Sequence, residues 1–343
     1  LRDDTLRDDT LSDDAPGQDA PRILIPRALS PAAFAMREAG GRIATFSGRS
    51  MGTGWSLRIV SPPPAVAQGV QAALDRVVAQ MSQWEEDSDI SRFNRARPGQ
   101  WRMLPPEFSA VLQAALDVAQ ASDGAFDPAM GALVDLWGFG PGRRPAAAPA
   151  DAVTAAILAE RGHVEFDATG LRARRVGQAR LDFSGIAKGF GVDQAAEWLL
   201  AQGVRHFLLE VGGELRGHGL RPDGQPWWVD VEQPPGLEGA LPMRVALHEL
   251  AIATSGDYRR WLDADGRRFS HTLDPRTGRP VKNGLRSVTV LHRTCMLADA
   301  WATALSVAGA EAGLALAEAQ GLAACLVGGD GEHMSTAWRA MLD

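Results

Sequence analysis

The order in which two hydrophobic periodicities follow one another constrains this chain most. In residues 65–84 the apolar positions Val66, Val70, Leu74, Val77, Met81 and Trp84 recur at helical spacing, and Phe108, Val111, Leu112, Ala115 and Ala119 repeat the stripe over 106–121. The polar stretch EEDSDISRFNRARPGQ between them reads as a loop. Ahead of both, RIATFSGRSMGTGWSLRIV (42–60) reads as two strands around a glycine turn, closed by PPP. The middle of the chain alternates loops and short strands up to a helix over 186–201, after which RHFLLEV, WWVDVEQ, MRVALHE and LAIATSG read as strands. The last third adds a strand at 285–291, helices near 297–308 and 310–320, and LAACLVGG as a closing strand; no internal repeat stands out. Such mixed order predicts an α+β fold rather than a doubly wound parallel sheet.

At 343 residues the chain has room for a large core, and roughly one domain per 150 residues suggests two domains or one elaborate one. The formal charge of −7 is concentrated at the start, where LRDDTLRDDTLSDD holds six Asp and two Arg, repeats LRDDT and shows no apolar periodicity. Residues 1–20 are therefore expected to be a disordered acidic tail, with the folded unit over 21–343. The rest is nearly balanced, and GRR at 142–144 is too short to be a footprint for nucleic acid. No membrane span is visible, and ILIPRALSPAAFAM, broken by Pro and Arg, makes no signal-peptide core. Cys295 and Cys325 lack the spacing of a zinc site and read as buried, inert thiols.

Several stretches carry side chains suited to chemistry. LDFSGIAKGFGVDQAAEWLL (181–200) has a strand, a glycine turn, a lysine and a helix start, yet Lys188 is followed by Gly189 where a phosphate-binding P-loop needs Ser or Thr. In LADAWATALSVAG, Asp299 and Thr303 lie one helical turn apart, so their oxygens share a face, as two ligands of Mg²⁺ would or as a surface hydrogen bond would. FSHTLDPRTGRPV places His271, a possible proton acceptor, three residues before Asp274, which either orients it, binds a cation or caps the D-P turn. In GAFDPAMGALVDLWGFGPG (124–142) the Trp and Phe between glycines are either a wall for a planar ring or core plugs, and MGTGWS at 51–56 is equally open.

Taken in order, eight blocks resemble the ApbE family, the FAD:protein FMN transferases: MGTGWSLRI, MSQWEEDSDISRFN, AFDPAMGALVDLWGFGP, LDFSGIAKGFGVDQAAEWL, LLEVGGELRGHG, AIATSGDYRRW, FSHTLDPRTGRPV and LADAWATAL, spanning roughly 42–328. The resemblance implies an ApbE-like, T-fold-like α+β unit of two packed lobes with the cofactor in the cleft. It implies a Mg²⁺-dependent enzyme that cleaves FAD, releases AMP and attaches FMN through a phosphoester to Thr or Ser of an acceptor protein, respiratory flavoprotein subunits being the expected acceptors. By similarity, Asp182 and Lys188 belong to the FAD site, with Met51, Trp84, Ala125, Phe126, Asp127 and Leu273 lining the cofactor. Gly185, through its carbonyl, is then a metal ligand beside Asp299 and Thr303, and His271 is the expected base with Asp274 as its partner or on the acceptor side. The chain departs from the family where Ser184-Gly185 replaces a usual Gly-Gly, open to altering the backbone approach at the metal, and where Trp84 stands in place of a frequent Tyr. The alternatives are a Mg²⁺-dependent FAD pyrophosphatase using water as the acceptor, and a carrier that holds FAD without turnover. The family suggests a periplasmic location, with the cytoplasm as the alternative.

Overall fold

Eight strands pair in the order in which they occur along the chain, every neighbouring pair antiparallel. They are β1 (Ile43–Ser50), β2 (Thr53–Val60), β3 (Phe207–Val211), β4 (Glu214–His218), β5 (Leu250–Gly256), β6 (Leu285–His292), β7 (Ala323–Gly328) and β8 (Gly331–Met334). The structure, a computed structural model, describes residues 20–235, 242–258 and 260–342, so the tail expected over 1–20 lies, Ala20 apart, outside the described residues. Tight turns set the register at one end of the sheet. Met51 and Gly52 (φ 51° and 74°) close the β1–β2 hairpin, and Gly212 and Gly213 (φ 61° and 102°) close β3–β4. Both pairs have the two left-handed residues of a turn whose twist matches the strands it joins.

Four helices line up across one face of this sheet: α1 (Val66–Met81), α2 (Ala187–Ala201), α3 (Cys295–Ala308) and α4 (Ala310–Ala319), each packed on the next. The stripe read from the sequence explains α1, where Val66, Val70, Leu74 and Val77 are at most 3% exposed. Each such side chain contributes about 1.5–3 kcal/mol on burial. In contrast α2 is buried on several sides, because it lies between the sheet, α1 and α3. Strand pair, helix pair, strand pair thus occurs twice, as β1β2α1α2β3β4 and β5β6α3α4β7β8, a repeat of architecture that left no visible repeat of sequence. The two halves meet where α2 touches α3.

Residues 82–180 form the second lobe, inserted between α1 and α2. It holds the helix Pro106–Ala121, as its stripe predicts, but also Asp89–Arg95 where a polar loop was expected, and Gly131–Leu136 and Asp151–Glu160 where loops and short strands were expected. Ser88 explains the first: its hydroxyl accepts from the Ser91 N–H and caps a helix that buries only Ile90, Ser91 and Phe93. A large apolar cluster joins this lobe to α3 through Phe108, Phe126, Phe183 and Ala298. The far face of the sheet is covered by Arg22–Leu24, Trp227–Asp230 and Met243–Leu247, which form a smaller sheet, and by Trp338. LAACLVGG is not the closing strand, since β8 pairs outside it. Cys295 and Cys325 are buried and free, and among the described residues no helix is long and apolar enough to cross a membrane.

Candidate active site

At the junction of the two halves, the starts of α2 and α3 interlock. A Cβ on Gly189 would fall 2.3 Å from the Cys295 carbonyl oxygen and 2.9 Å from Asp299 Cβ, so only glycine lets the two helices approach this closely. The Gly189 N–H donates to Asp299 Oδ2 at 3.1 Å. Asp193, one turn along α2, accepts from the N–H groups of Cys295 and Met296, each at 2.9 Å, and pairs with Arg216 at 2.9 Å. It therefore caps α3 from another helix, answering the orphan donors that Thr294 leaves without a side-chain bond. Burial raises the Asp193 carboxyl, opposed by those two N–H groups and by Arg216. Asp299 is 5% exposed, and burial likewise raises its carboxyl, opposed by Lys188 and the Gly189 N–H.

Around this joint the expected phosphate- and metal-handling residues come together. A Cβ on Gly185 would lie 3.0 Å from Thr303 Oγ1 and 3.3 Å from Phe126, placing the 182–185 turn directly against α3. Asp182 bends that turn: Oδ1 accepts from the Ser184 N–H at 2.7 Å and from the Ser184 hydroxyl, while Oδ2 accepts from Gln83 at 2.9 Å. The Ser184 side chain is thus turned back onto Asp182. Asn94 fixes the approach like a strand partner, donating to the Leu181 carbonyl at 2.8 Å and accepting its N–H at 2.7 Å. Lys188 Nζ lies 2.6 Å from Glu214 Oε2. Met51, in its left-handed turn, packs against α2 so closely that a Cβ on Gly191 would meet its methyl at 2.4 Å.

The opposite wall is built differently. Trp84 is 52% exposed, and the Arg260 guanidinium sits 5.9 Å from its ring centre and 5.8 Å from that of Phe139. Arg260 also donates to the Phe139 carbonyl at 2.7 Å. Its own carbonyl lies 3.0 Å from His271 Nδ1. A carbonyl only accepts, so Nδ1 carries the proton of the neutral ring and Nε2 is left as the basic nitrogen. Burial, then the Arg260 and Lys188 charges, lower the His271 pKa to about 4. Asp274, expected as the partner of His271 or on the acceptor side, accepts from Nε and Nη2 of Arg276, at 2.9 and 3.0 Å, and from the Arg276 N–H at 2.9 Å. The D-P turn claims the carboxylate for its own cap. Leu273 is buried beside Trp137 and Phe269, and Trp137 of the W-G-F-G segment is a core plug. Phe139, from the same segment, meets His271 edge-on at 6.3 Å. Ala125 and Phe126 are buried, and Asp127 accepts from the Ala129 N–H and pairs with Arg161 at 3.0 Å.

A profile of the ApbE family matches residues 51–326. The chain belongs to the ApbE family. Among curated relatives, the FAD:protein FMN transferase of Vibrio cholerae is 39% identical over 280 residues, covering 80% of this chain and 84% of the relative. That of Haemophilus influenzae is 35% identical over 303 residues, covering 83% and 86%. Among solved structures, the flavin transferase ApbE from Vibrio cholerae superposes with a TM-score of 0.81 at 36% identity, over 88% of this chain and all 100% of that one. The apo flavinyl transferase ApbE of Pseudomonas stutzeri gives 0.79 at 36% identity, over 88% and 97%. In this ApbE chain, the sequence pattern assigns no role to Glu214 and Asp193, which hold the helix starts, to Gly189 beyond its place after Lys188, or to Arg260, which links the aromatic wall to His271. A carboxylate straight after a Gly-Gly turn and an Asp inside an apolar helix were the available signals.

Proposed function

We propose that this protein is a transferase that cleaves FAD and attaches FMN through a phosphoester to Thr or Ser of an acceptor protein, releasing AMP. One observation carries the reading: Lys188, Asp299, Thr303 and Gly185 converge at the α2–α3 joint, facing a neutral imidazole from the other wall. Among the described residues no group of three or more His, Cys, Asp or Glu side chains is placed to hold a metal ion. A single buried carboxylate, a threonine hydroxyl and a carbonyl suit Mg²⁺, which commonly takes one or two carboxylates and completes its octahedron with water and phosphate. The close fit of Gly185 on Thr303 supports this, because a side chain there would fill the space between them. Asp299, Thr303 and the Gly185 carbonyl would hold the ion, and when bound it supplies charge neutralisation at the pyrophosphate.

The chain's own groups do the rest. The Lys188 ammonium stabilises negative charge developing on the phosphates. His271 Nε2 takes the proton of the acceptor hydroxyl as its oxygen bonds to the FMN phosphorus, and the anhydride bond to AMP breaks. Trp84, Met51, Phe126, Asp127, Asp182 and Leu273 line the flavin nucleotide. The names of the relatives support FAD as substrate and a protein as acceptor; respiratory flavoprotein subunits and a periplasmic location belong to the same reading. Incubation of a Thr-containing acceptor protein with FAD and Mg²⁺, followed by mass spectrometry, tests it. An FMN adduct on Thr or Ser with equimolar AMP is expected. Free FMN and AMP without adduct would make the protein a pyrophosphatase, and intact FAD would make it a carrier.

A further inference from the structure

We propose that Glu214 is a positioning residue for the transfer, holding the Lys188 ammonium at the point where it meets the FAD phosphates; this rests on the function proposed above. The two left-handed turns at one end of the sheet lie side by side, since β2 pairs with β3 and the Gly212 N–H donates to the Gly54 carbonyl at 3.1 Å. Both turns face the start of α2: Met51 touches Gly191, and Glu214, the first residue after the Gly212-Gly213 turn, reaches Lys188. The contact is asymmetric. The Glu214 side chain is 3% exposed and that of Lys188 33%, with 2.6 Å between Oε2 and Nζ. The carboxylate is therefore held in the protein interior, and the more exposed ammonium lies on its solvent side.

Lysine is a flexible point charge on a long stem, so an anchor behind it settles where its charge sits before substrate arrives. Glu214 also belongs to the acidic surroundings of the joint: Asp193, Glu214 and Asp299 each push the buried Cys295 thiol up, and Lys188 opposes them. Loss of the Glu214 charge accordingly has two opposed effects on bound FAD. It removes repulsion of the phosphates and it releases the ammonium that attracts them. Ground-state affinity is expected to change little, whereas the transfer step, which needs the charge at one place, is expected to slow.

The test uses Glu214→Gln, Lys188→Met and the double variant. In single-turnover transfer, Glu214→Gln is expected to lower the rate about 10- to 100-fold, the range for small misplacement of an acting group. FAD affinity should shift less than about threefold. In the Lys188→Met background the same change should add nothing, because Glu214 acts through Lys188. Multiplicative losses in the double variant, or an unchanged rate in Glu214→Gln, would overturn the inference. Should Glu214→Gln fail to fold, Glu214→Asp keeps the charge and draws the ammonium back, and the same loss of rate is expected from it; an unchanged rate there also overturns the proposal. A readout independent of turnover comes from the lysines, of which the sequence has only Lys188 and Lys282. Amine acylation followed by mass spectrometry should label Lys188 faster in Glu214→Gln than in wild type, with Lys282 as the internal standard. An equal rate means that Glu214 does not hold the ammonium. If wild type transfers no FMN, the proposed function fails, while the labelling still judges the Glu214 contact.

Discussion

The two sides of the candidate site are held by different physics. On the helix side, Gly189, Asp193, Asp299, Lys188 and Glu214 are locked by close backbone approach, a cap given by one helix to another, and ion pairs whose carboxylates lie at most 10% exposed. On the hairpin side, Trp84, Arg260 and His271 are held by ring contacts and a few bonds to main-chain carbonyls, next to the Trp261–Ala264 and Arg267–Ser270 hairpin, which buries Leu262, Ala264 and Phe269 and exposes Asp263, Arg267 and Arg268. In the proposed reaction this difference is a division of labour. Groups that stabilise charge must be in place beforehand, so they sit where repacking is costly. A group that exchanges a proton with an arriving protein hydroxyl works from a surface that a partner can reach.

The sharpest way to break this comparison is to empty the helix side of its carboxylate. Asp299→Ala is expected to lower the single-turnover transfer rate by about 10³-fold or more, in line with removal of a main charge-stabilising element, with FAD still bound. Titration of Mg²⁺ into wild type and variant checks it, and unchanged Mg²⁺ dependence would overturn Asp299 as a ligand. Thr303→Val should act alike but by only about 10-fold, because water can replace one neutral ligand. Lys188→Met comes next, at about 10²-fold in rate. From the sequence alone this change would spare folding, but its contact with Glu214 says otherwise. It leaves a carboxylate 3% exposed without its ammonium, expected to cost about 2 kcal/mol, below the ~3–5 of a fully buried pair because the lysine is partly solvated. Urea unfolding should show the loss, and Lys188→Met/Glu214→Gln should recover part of it.

These expectations differ from the sequence reading for physical reasons. The long periodic helices, the hairpins and the α+β class were legible, since a stripe or an alternation reports burial on one side. The short helix Asp89–Arg95 was not, because two apolar residues make no period. Individual site residues were named by resemblance, yet the pairs among them were not. Whether Asp274 serves His271 or Arg276, and whether Lys188 faces a phosphate alone or Glu214 as well, depends on contacts across 2 to 26 residues that spacing cannot report. Gly189 shows the limit most plainly, as its role lies in a helix more than a hundred residues away.

Two glycines sharpen the comparison in stability. Gly189→Ala pushes a methyl into the Cys295 carbonyl, which is backbone and cannot swing aside, and is expected to cost about 3 kcal/mol, the upper end for overpacking. Gly266→Ala, in the hairpin, meets nothing within 4 Å and suffers only its φ of +67°, expected to cost about 1 kcal/mol. Thermal or urea unfolding of the two variants compares the walls directly; equal losses would contradict the tighter packing assigned to the helix side.

The smallest expected effect is the pH response of His271. Its folded pKa, about 4, lies below the ordinary 6.5. Between these values the unfolded chain binds a proton that the native imidazole refuses, so this contribution to stability is complete above pH 6.5 and is lost as pH falls through about 4. The ring is half-buried and solvent-screened, so the effect is about 1 kcal/mol at most. It should appear as a shallower acid slope of unfolding free energy in His271→Asn than in wild type. The transfer kinetics extend the same argument. The acid limb of kcat/KM reports the free enzyme and that of kcat the FAD complex. If the FAD phosphates sit beside His271, their charge stabilises the imidazolium and opposes the lowering by Arg260 and Lys188. The acid limb of kcat should then lie at higher pH than that of kcat/KM. The reverse order would mean that the phosphates bind away from the imidazole, and His271 would no longer be placed to take the acceptor's proton.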